Sequence, residues 1–205
     1  MTPLWLTATP LVLASGSVTR RDMLVAAGLP VETAKPGLDE RAVEKPLVEQ
    51  GASADRIASA LAEAKALSVS QVQAGRIVLA ADQTLTCDGQ SFHKPENATA
   101  AAGQIAMLAG QVHELHSAFA LAQDGSILAR GIETARLTMR PLDPAFIARY
   151  VEAAGPAVLS SVGGYQLEGL GAQLFERIEG DHFTILGLPL LPVLAALREH
   201  GHLAR

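Results

Sequence analysis

Ser15-Gly16-Ser17-Val18-Thr19-Arg20-Arg21 gathers small hydroxyl residues, a glycine and two arginines where an apolar run ends and a helical pattern begins. That is anion-binding chemistry, because exposed N–H groups and the positive end of a helix dipole attract phosphate oxygens, while a guanidinium can grip two of them at once. An ordinary capped helix with surface arginines gives the same pattern, and this segment carries neither G-x-G-x-x-G nor G-x-x-x-x-G-K-[ST]. Asp82 closes a second apolar run, where a carboxylate can hold a divalent metal or take a proton from water; a turn aspartate is the plainer alternative. Asp39-Glu40 offers further hard oxygens, with Glu40 a candidate metal ligand beside Asp82, although most acidic loop pairs are only solvated. Lys65 and Lys94 can neutralise phosphate charge or stand as exposed lysines.

These residues need elements to position them. Leu11 to Ser15 predicts a strand and Val18 to Ala27 a helix, capped by Ser17 and ended by a left-handed Gly28. Val31 to Ala34 reads as a second strand, and the proline-punctuated, polar stretch Lys35 to Gly51 as a long loop. Ile57, Leu61 and Val69 recur at helical spacing from Ser53 to about Val72, a helix that carries Lys65. Arg76 to Ala81 is an apolar strand that delivers Asp82 at its C-terminal end and so to a sheet edge. Asp88-Gly89 and Asp124-Gly125 have hairpin chemistry, the second joining long strands over His113–Gln123 and Ile127–Met139. Asn97 opens a helix to Leu108, Asp143-Pro144 opens another to about Ala154, and a final helix follows Pro192. The glycine-rich stretch Gly163 to Gly171 lets backbone approach a ligand or forms a tight turn. Strands alternating with helices and interrupted by hairpins predict an α/β fold with a mixed sheet, its ligand site beyond strand C-termini.

Composition bounds the function. The chain has 205 residues, 49% apolar and 18% charged, which suits one folded unit and excludes a disordered chain. A net charge of -5 and a pI near 5.7 exclude a general affinity for DNA, RNA or anionic membrane. The single cysteine, Cys87, rules out an intramolecular disulfide and favours a reducing compartment; it is read as a buried apolar residue. The stretch Met1 to Ser17 has no basic residue and two prolines, so it reads as mature protein rather than a signal peptide, and Thr184 to Leu197 is shorter than the ~20 residues of a membrane span. A soluble, cytoplasmic chain is the expectation. His113 and His116 are three apart in a strand and face opposite sides, which discounts a histidine metal site.

Taken in order, Leu11-Val-Leu-Ala-Ser-Gly-Ser17 with Arg20-Arg21, Asp39-Glu40, Ala64-Lys65-Ala66, Ala81-Asp82-Gln83, Lys94-Pro95, Met107-Leu108-Ala-Gly110 with His113, Gly164-Tyr165, Glu168-Gly169 with Gly171, and Gly187-Leu188-Pro189-Leu190 resemble the Maf family of nucleoside triphosphate pyrophosphatases. The resemblance runs from residue 11 to about 197, within a single domain over 1–205. It implies an elongated, twisted mixed sheet flanked by helices, in two lobes with a central cleft, often in a dimer. It implies hydrolysis between the α and β phosphates of a nucleoside triphosphate, with Mg²⁺ or Mn²⁺. Asp82, Lys65 and Lys94 then fall to catalysis, Ser15, Ser17, Arg20 and Arg21 to the phosphates, and Glu40 and Asp82 to the metal.

Three positions that separate branches of that family fall on Thr19, Gln83 and Glu168. The dTTP- and UTP-specific branch usually has Arg, Thr and Gln there, and this chain matches none of them. Gln83 and Glu168 resemble the 7-methyl-GTP branch, where a carboxylate suits a cationic base. Thr19 departs from it, since that branch usually carries a Trp whose ring can stack on the base. Val18, His93 and Val162 are further departures. The alternatives are a dTTP/UTP-type or broad pyrophosphatase and a catalytically weak nucleotide sensor that regulates division.

Overall fold

The apolar runs seen in the sequence become the middle of a sheet. In the computed structural model, which describes residues 4–205, β1 (Leu11–Leu13) is fully buried between two parallel partners, β2 (Val31–Thr33) and β3 (Val78–Cys87). Of the N-terminal stretch read as mature protein, residues 1 to 3 lie outside the described residues. Helix α1 (Val18–Ala26) makes the crossover from β1 to β2, as its cap and the positive φ of Gly28 predict. Strand β4 (Gln90–Phe92) folds back on β3 through Asp88 and Gly89, whose φ values of 48° and 76° are the left-handed pair that a type I′ hairpin requires. Asp124 and Gly125 repeat that geometry between β5 (Val112–Gln123) and β6 (Ser126–Met139), and β7 (Phe175–Glu179) pairs antiparallel with β6. The order is β2-β1-β3-β5-β6-β7 with β4 on β3, so the α/β class and the mixed sheet are as expected.

By its contacts the chain divides into two compact units. The first comprises residues up to Gln83, Ser117–Glu133 and Gly187–Arg205. Its long helix α3 (Ala54–Ser70) lays Ala58, Ala62 and Ala66 against Ala80, Ala118, Ala120 and Ala122 of the sheet. Methyl-sized side chains on both surfaces permit a close approach, and the same buried face of α3 carries Lys65. The second unit comprises Thr84–His116 and Thr134–Leu186. There α4 (Ala98–Leu108) and α5 (Pro144–Ala154), capped by Asn97 and Asp143 as expected, enclose Leu85, Leu115, Leu137 and Met139. Among the described residues no helix is long and apolar enough to cross a membrane.

Three expectations are corrected. The stretch Lys35 to Gly51 is not a loop, because Glu40–Glu49 form α2, started by the Asp39 carboxylate accepting from Arg41 N at 3.0 Å. Pro46 inside it forfeits one backbone bond and made the pattern read as irregular, and no residue of α2 is buried. Asp82 does not end a strand: β3 continues through it to Cys87, with β1 paired at Val78 and Leu79 and β4 from Leu85 onward, on either side of it. The final helix, α7 (Leu190–Glu199), begins before Pro192, which its first turn tolerates because those N–H groups have no intrahelical partner. A short helix missed by the sequence pattern, α6 (His182–Ile185), starts at Asp181.

Candidate active site

At the start of α1 the hydroxyls serve their own loop. Ser17 Oγ accepts from Arg20 N at 3.3 Å, and Ser15 Oγ accepts from Ser17 N at 3.1 Å. The two arginines diverge. Arg20 turns inward, its Nε donating to Gly187 O at 2.8 Å and its Nη1 to Ala81 O at 2.7 Å. Arg21 stays exposed and pairs with the Asp22 carboxylate at 2.8 Å. Thr19 is half-buried on the same helix.

Helix α3 brings Lys65 to β3. Its ammonium lies 2.5 Å from Asp82 Oδ1 and 2.8 Å from Glu40 Oε2, so α2, α3 and β3 meet on one cation. Lys65 and Asp82 are buried, whereas the Glu40 side chain is 53% exposed. Burial pushes the Asp82 carboxyl above the ordinary carboxylate range, against the pull of the Lys65 and Arg20 cations, and the Glu40 charge adds to the rise. Burial pulls Arg20 down from its ordinary value, with Asp82 and Glu40 opposing. This is a carboxylate poised toward accepting a proton, held in place by a fixed positive charge.

Gln83 follows Asp82 in β3 and points to the other face of the sheet, where its Nε2 donates to Ser117 Oγ at 2.9 Å. Ser117 and Gly187 are contributors that the sequence reading did not place in the site. The one signal for Ser117 was a hydroxyl opening the otherwise apolar run Ala118 to Ala122; for Gly187 it was membership of a motif with no assigned role.

Lys94 and Glu168 belong to the second unit, where both are exposed, Lys94 after β4 and Glu168 in a turn. The glycine-rich stretch resolves as tight packing. A Cβ on Gly163 would stand 2.7 Å from Leu85 Cδ1, and one on Gly171 would stand 2.3 Å from Gln166 O. In the same unit His113 is fully buried, its Nε2 2.7 Å from Tyr165 Oη and its Nδ1 without a partner, and burial pulls it down to about 4. Cys87 is buried, with its thiol pushed up by burial and then by Asp88.

Among the described residues no three of His, Cys, Asp and Glu gather as a metal cage. The hard oxygens that converge are those of Glu40 and Asp82 on Lys65.

The pattern of the Maf-like proteins matches residues 10–200. The chain belongs to the Maf-like family. This Maf-like protein is 52% identical over 188 residues to the 7-methyl-GTP pyrophosphatase of Brucella abortus biovar 1 (strain 9-941), covering 92% of this chain and 94% of that one. It is 50% identical over 191 residues to the 7-methyl-GTP pyrophosphatase of Mesorhizobium japonicum, covering 93% and 96%. It is 49% identical over 201 residues to the nucleoside triphosphate pyrophosphatase of Rhodopseudomonas palustris (strain BisB18), covering 98% of each. Among solved structures the Staphylococcus aureus Ham1 protein superposes on this Maf-like protein with a TM-score of 0.40, at 15% identity over 64% of this chain and 71% of that one, too loosely to add to the assignment.

Proposed function

We propose that this Maf-like protein hydrolyses nucleoside triphosphates between the α and β phosphates, releasing a monophosphate and pyrophosphate, and that 7-methyl-GTP is its preferred substrate. The observation that carries the reading is the buried Asp82 carboxylate on the Lys65 ammonium, one strand residue from the Arg20 anchor at Ala81. Relatives named for this reaction, at about half identity over nearly the whole chain, support it.

Water is the nucleophile, and Asp82 takes its proton as the bond to phosphorus forms, a task its raised pKa favours. Arg20 and Lys65 offset the charge of the triphosphate, and at the start of α1 the Ser15 and Ser17 hydroxyls, which accept from Ser17 N and Arg20 N, keep an O–H to donate to phosphate oxygens. Arg21 is the outward member of its pair and serves the phosphates only after leaving Asp22. Lys94 and Glu168 keep the parts that the resemblance implies, phosphate neutralisation and recognition of a cationic base. Positioning and charge compensation account for most of the rate, because a phosphoanhydride needs little covalent help.

Glu40 and Asp82 suit a divalent cation, since Mg²⁺ is commonly bound by one or two carboxylates together with substrate phosphates. Mg²⁺ or Mn²⁺ held there supplies charge stabilisation to the phosphates. The cytoplasm, with the lone reduced Cys87, is the proposed compartment, and a homodimer without nucleic-acid partners is the proposed assembly.

The test is pyrophosphate release with Mg²⁺ and then Mn²⁺ over 7-methyl-GTP, GTP, UTP and dTTP. Preference for 7-methyl-GTP is expected. Tight triphosphate binding without pyrophosphate under either metal overturns the catalytic reading in favour of a sensor.

A further inference from the structure

The sheet ends on β7, and among the described residues no strand lies on its outer side. Every residue from Glu176 to Gly180 is exposed, so that edge stands open to solvent. It presents a row of backbone N–H and C=O groups able to pair with a further strand. At the other end of the sheet β2 has three residues, and its Glu32 is held by Arg76 at 2.8 Å. β2 offers less to pair with.

The side chains of β7 specify what fits there. Directly opposed residues of an antiparallel pair point to the same face, so a two-fold axis relating two copies of β7 passes between one residue and its own symmetry mate. An axis at Glu176, Arg177 or Glu179 sets like charges face to face, and one at Phe175 requires Leu174, which is fully buried. An axis at Ile178 opposes the two isoleucines, each 40% exposed in the single chain, and so removes apolar surface from water. It sets each Arg177 against the partner's Glu179, and each Glu176 against the partner's Gly180, which has no side chain to crowd it. Arg177 and Glu179 of one chain already lie 2.8 Å apart, so two copies bring four alternating charges together.

We propose that β7 is the interface of a homodimer, in which two copies of this chain pair edge to edge and antiparallel across a two-fold at Ile178. The inference rests on the homodimer proposed above and names its surface. A strand of five residues buries less than the interface of an obligate dimer, so the pairing is reversible and depends on concentration.

The experiment is sedimentation velocity over a concentration series on wild type, Arg177→Glu, Glu179→Arg and an equimolar mixture of the two variants, with thermal melts to show that each is folded. Wild type is expected to dimerise. Either substitution turns both Arg–Glu oppositions into like charges and should raise the dissociation constant roughly 10- to 100-fold. The mixture restores opposite charges across the axis and should recover the dimer. Ile178→Cys gives a second reading, because two thiols at that position face each other at a backbone separation that a disulfide spans. Diamide should cross-link this variant and not wild type, whose lone Cys87 is buried. Charge variants that dimerise like wild type, or a mixture no better than its components, overturn the inference and leave the homodimer standing. A wild type that is monomeric at every concentration overturns both.

Discussion

The Lys65 ammonium sits 2.5 Å from the Asp82 carboxylate, both buried, with Glu40 on the same nitrogen. Asp82 can therefore change charge without stranding the lysine. Asp82→Asn should keep the fold, because Glu40 still pairs Lys65, while turnover drops by roughly 10²–10⁴-fold, the usual worth of a positioned base. Pyrophosphate assays beside thermal melts decide this, and full activity in the folded variant removes Asp82 from the mechanism.

The same pair dictates a pH profile. The base works ionised, so kcat/KM should fall as pH drops through an acid limb lying above the ordinary carboxylate range, the direction in which burial shifts Asp82. Lys65→Met removes the strongest downward pull, so the limb of any residual activity should move to higher pH. It should also destabilise the protein by roughly 3 kcal/mol, as expected when a buried pair loses one partner. Rate profiles from pH 4 to 9 on both proteins test the direction, and a limb that moves down contradicts it.

Glu168 is exposed in its turn, so Glu168→Gln should leave stability unchanged within ~0.5 kcal/mol. Losing its charge should lower the ratio of kcat/KM for 7-methyl-GTP over GTP, since only the methylated base is cationic. Steady-state kinetics on the two nucleotides give the answer, an equal ratio in variant and wild type refuting the role.

Gly187 has a φ of 92°, and a methyl group there would press on Arg20 Nη2 at 3.2 Å. Gly187→Ala should cost about 1–3 kcal/mol through backbone strain, and should depress activity by shifting Arg20 and the strand it holds at Ala81. Urea unfolding and kcat measured together would show this; an unchanged midpoint and rate would mean that Arg20 needs no such seat.

His113 predicts acid sensitivity in the second unit. Its folded value of about 4 lies below the ordinary 6.5, so the unfolded chain binds more protons between those two pH values. Stability is full above 6.5 and falls as pH drops toward 4, by up to roughly 3 kcal/mol. Asp82 acts in the opposite sense as pH falls, because its raised folded pKa favours proton uptake by the native state. Replacing His113 by Phe should flatten the fall, which denaturant titrations at pH 7 and pH 4.5 will measure.

Elements with local chemical signals were legible beforehand. Asn97 and Asp143 cap the helices they were assigned, and Asp88-Gly89 and Asp124-Gly125 turn the expected hairpins. Pro46 concealed α2, since a proline within a charged stretch carries the signature of a loop although Asp39 caps a helix there. Asp82 stands out by its residue type, but its place inside a strand does not, because β3 continues through mixed polar and apolar positions that no apolar run marks.

The amino-acid sequence by itself determined the α/β class, the mixed sheet and the family, because caps, hairpin turns and motif order depend on residues close in the chain. The tertiary structure alone decided that Lys65 bridges Asp82 and Glu40, that Arg20 turns inward while Arg21 pairs outside, and that Ser117 reaches Gln83 across the sheet. Apart from the Arg21–Asp22 pair of neighbours, those contacts join residues separated in sequence, and their geometry follows from how closely an alanine-faced helix approaches its sheet and which strands lie side by side, neither of which a periodic pattern encodes.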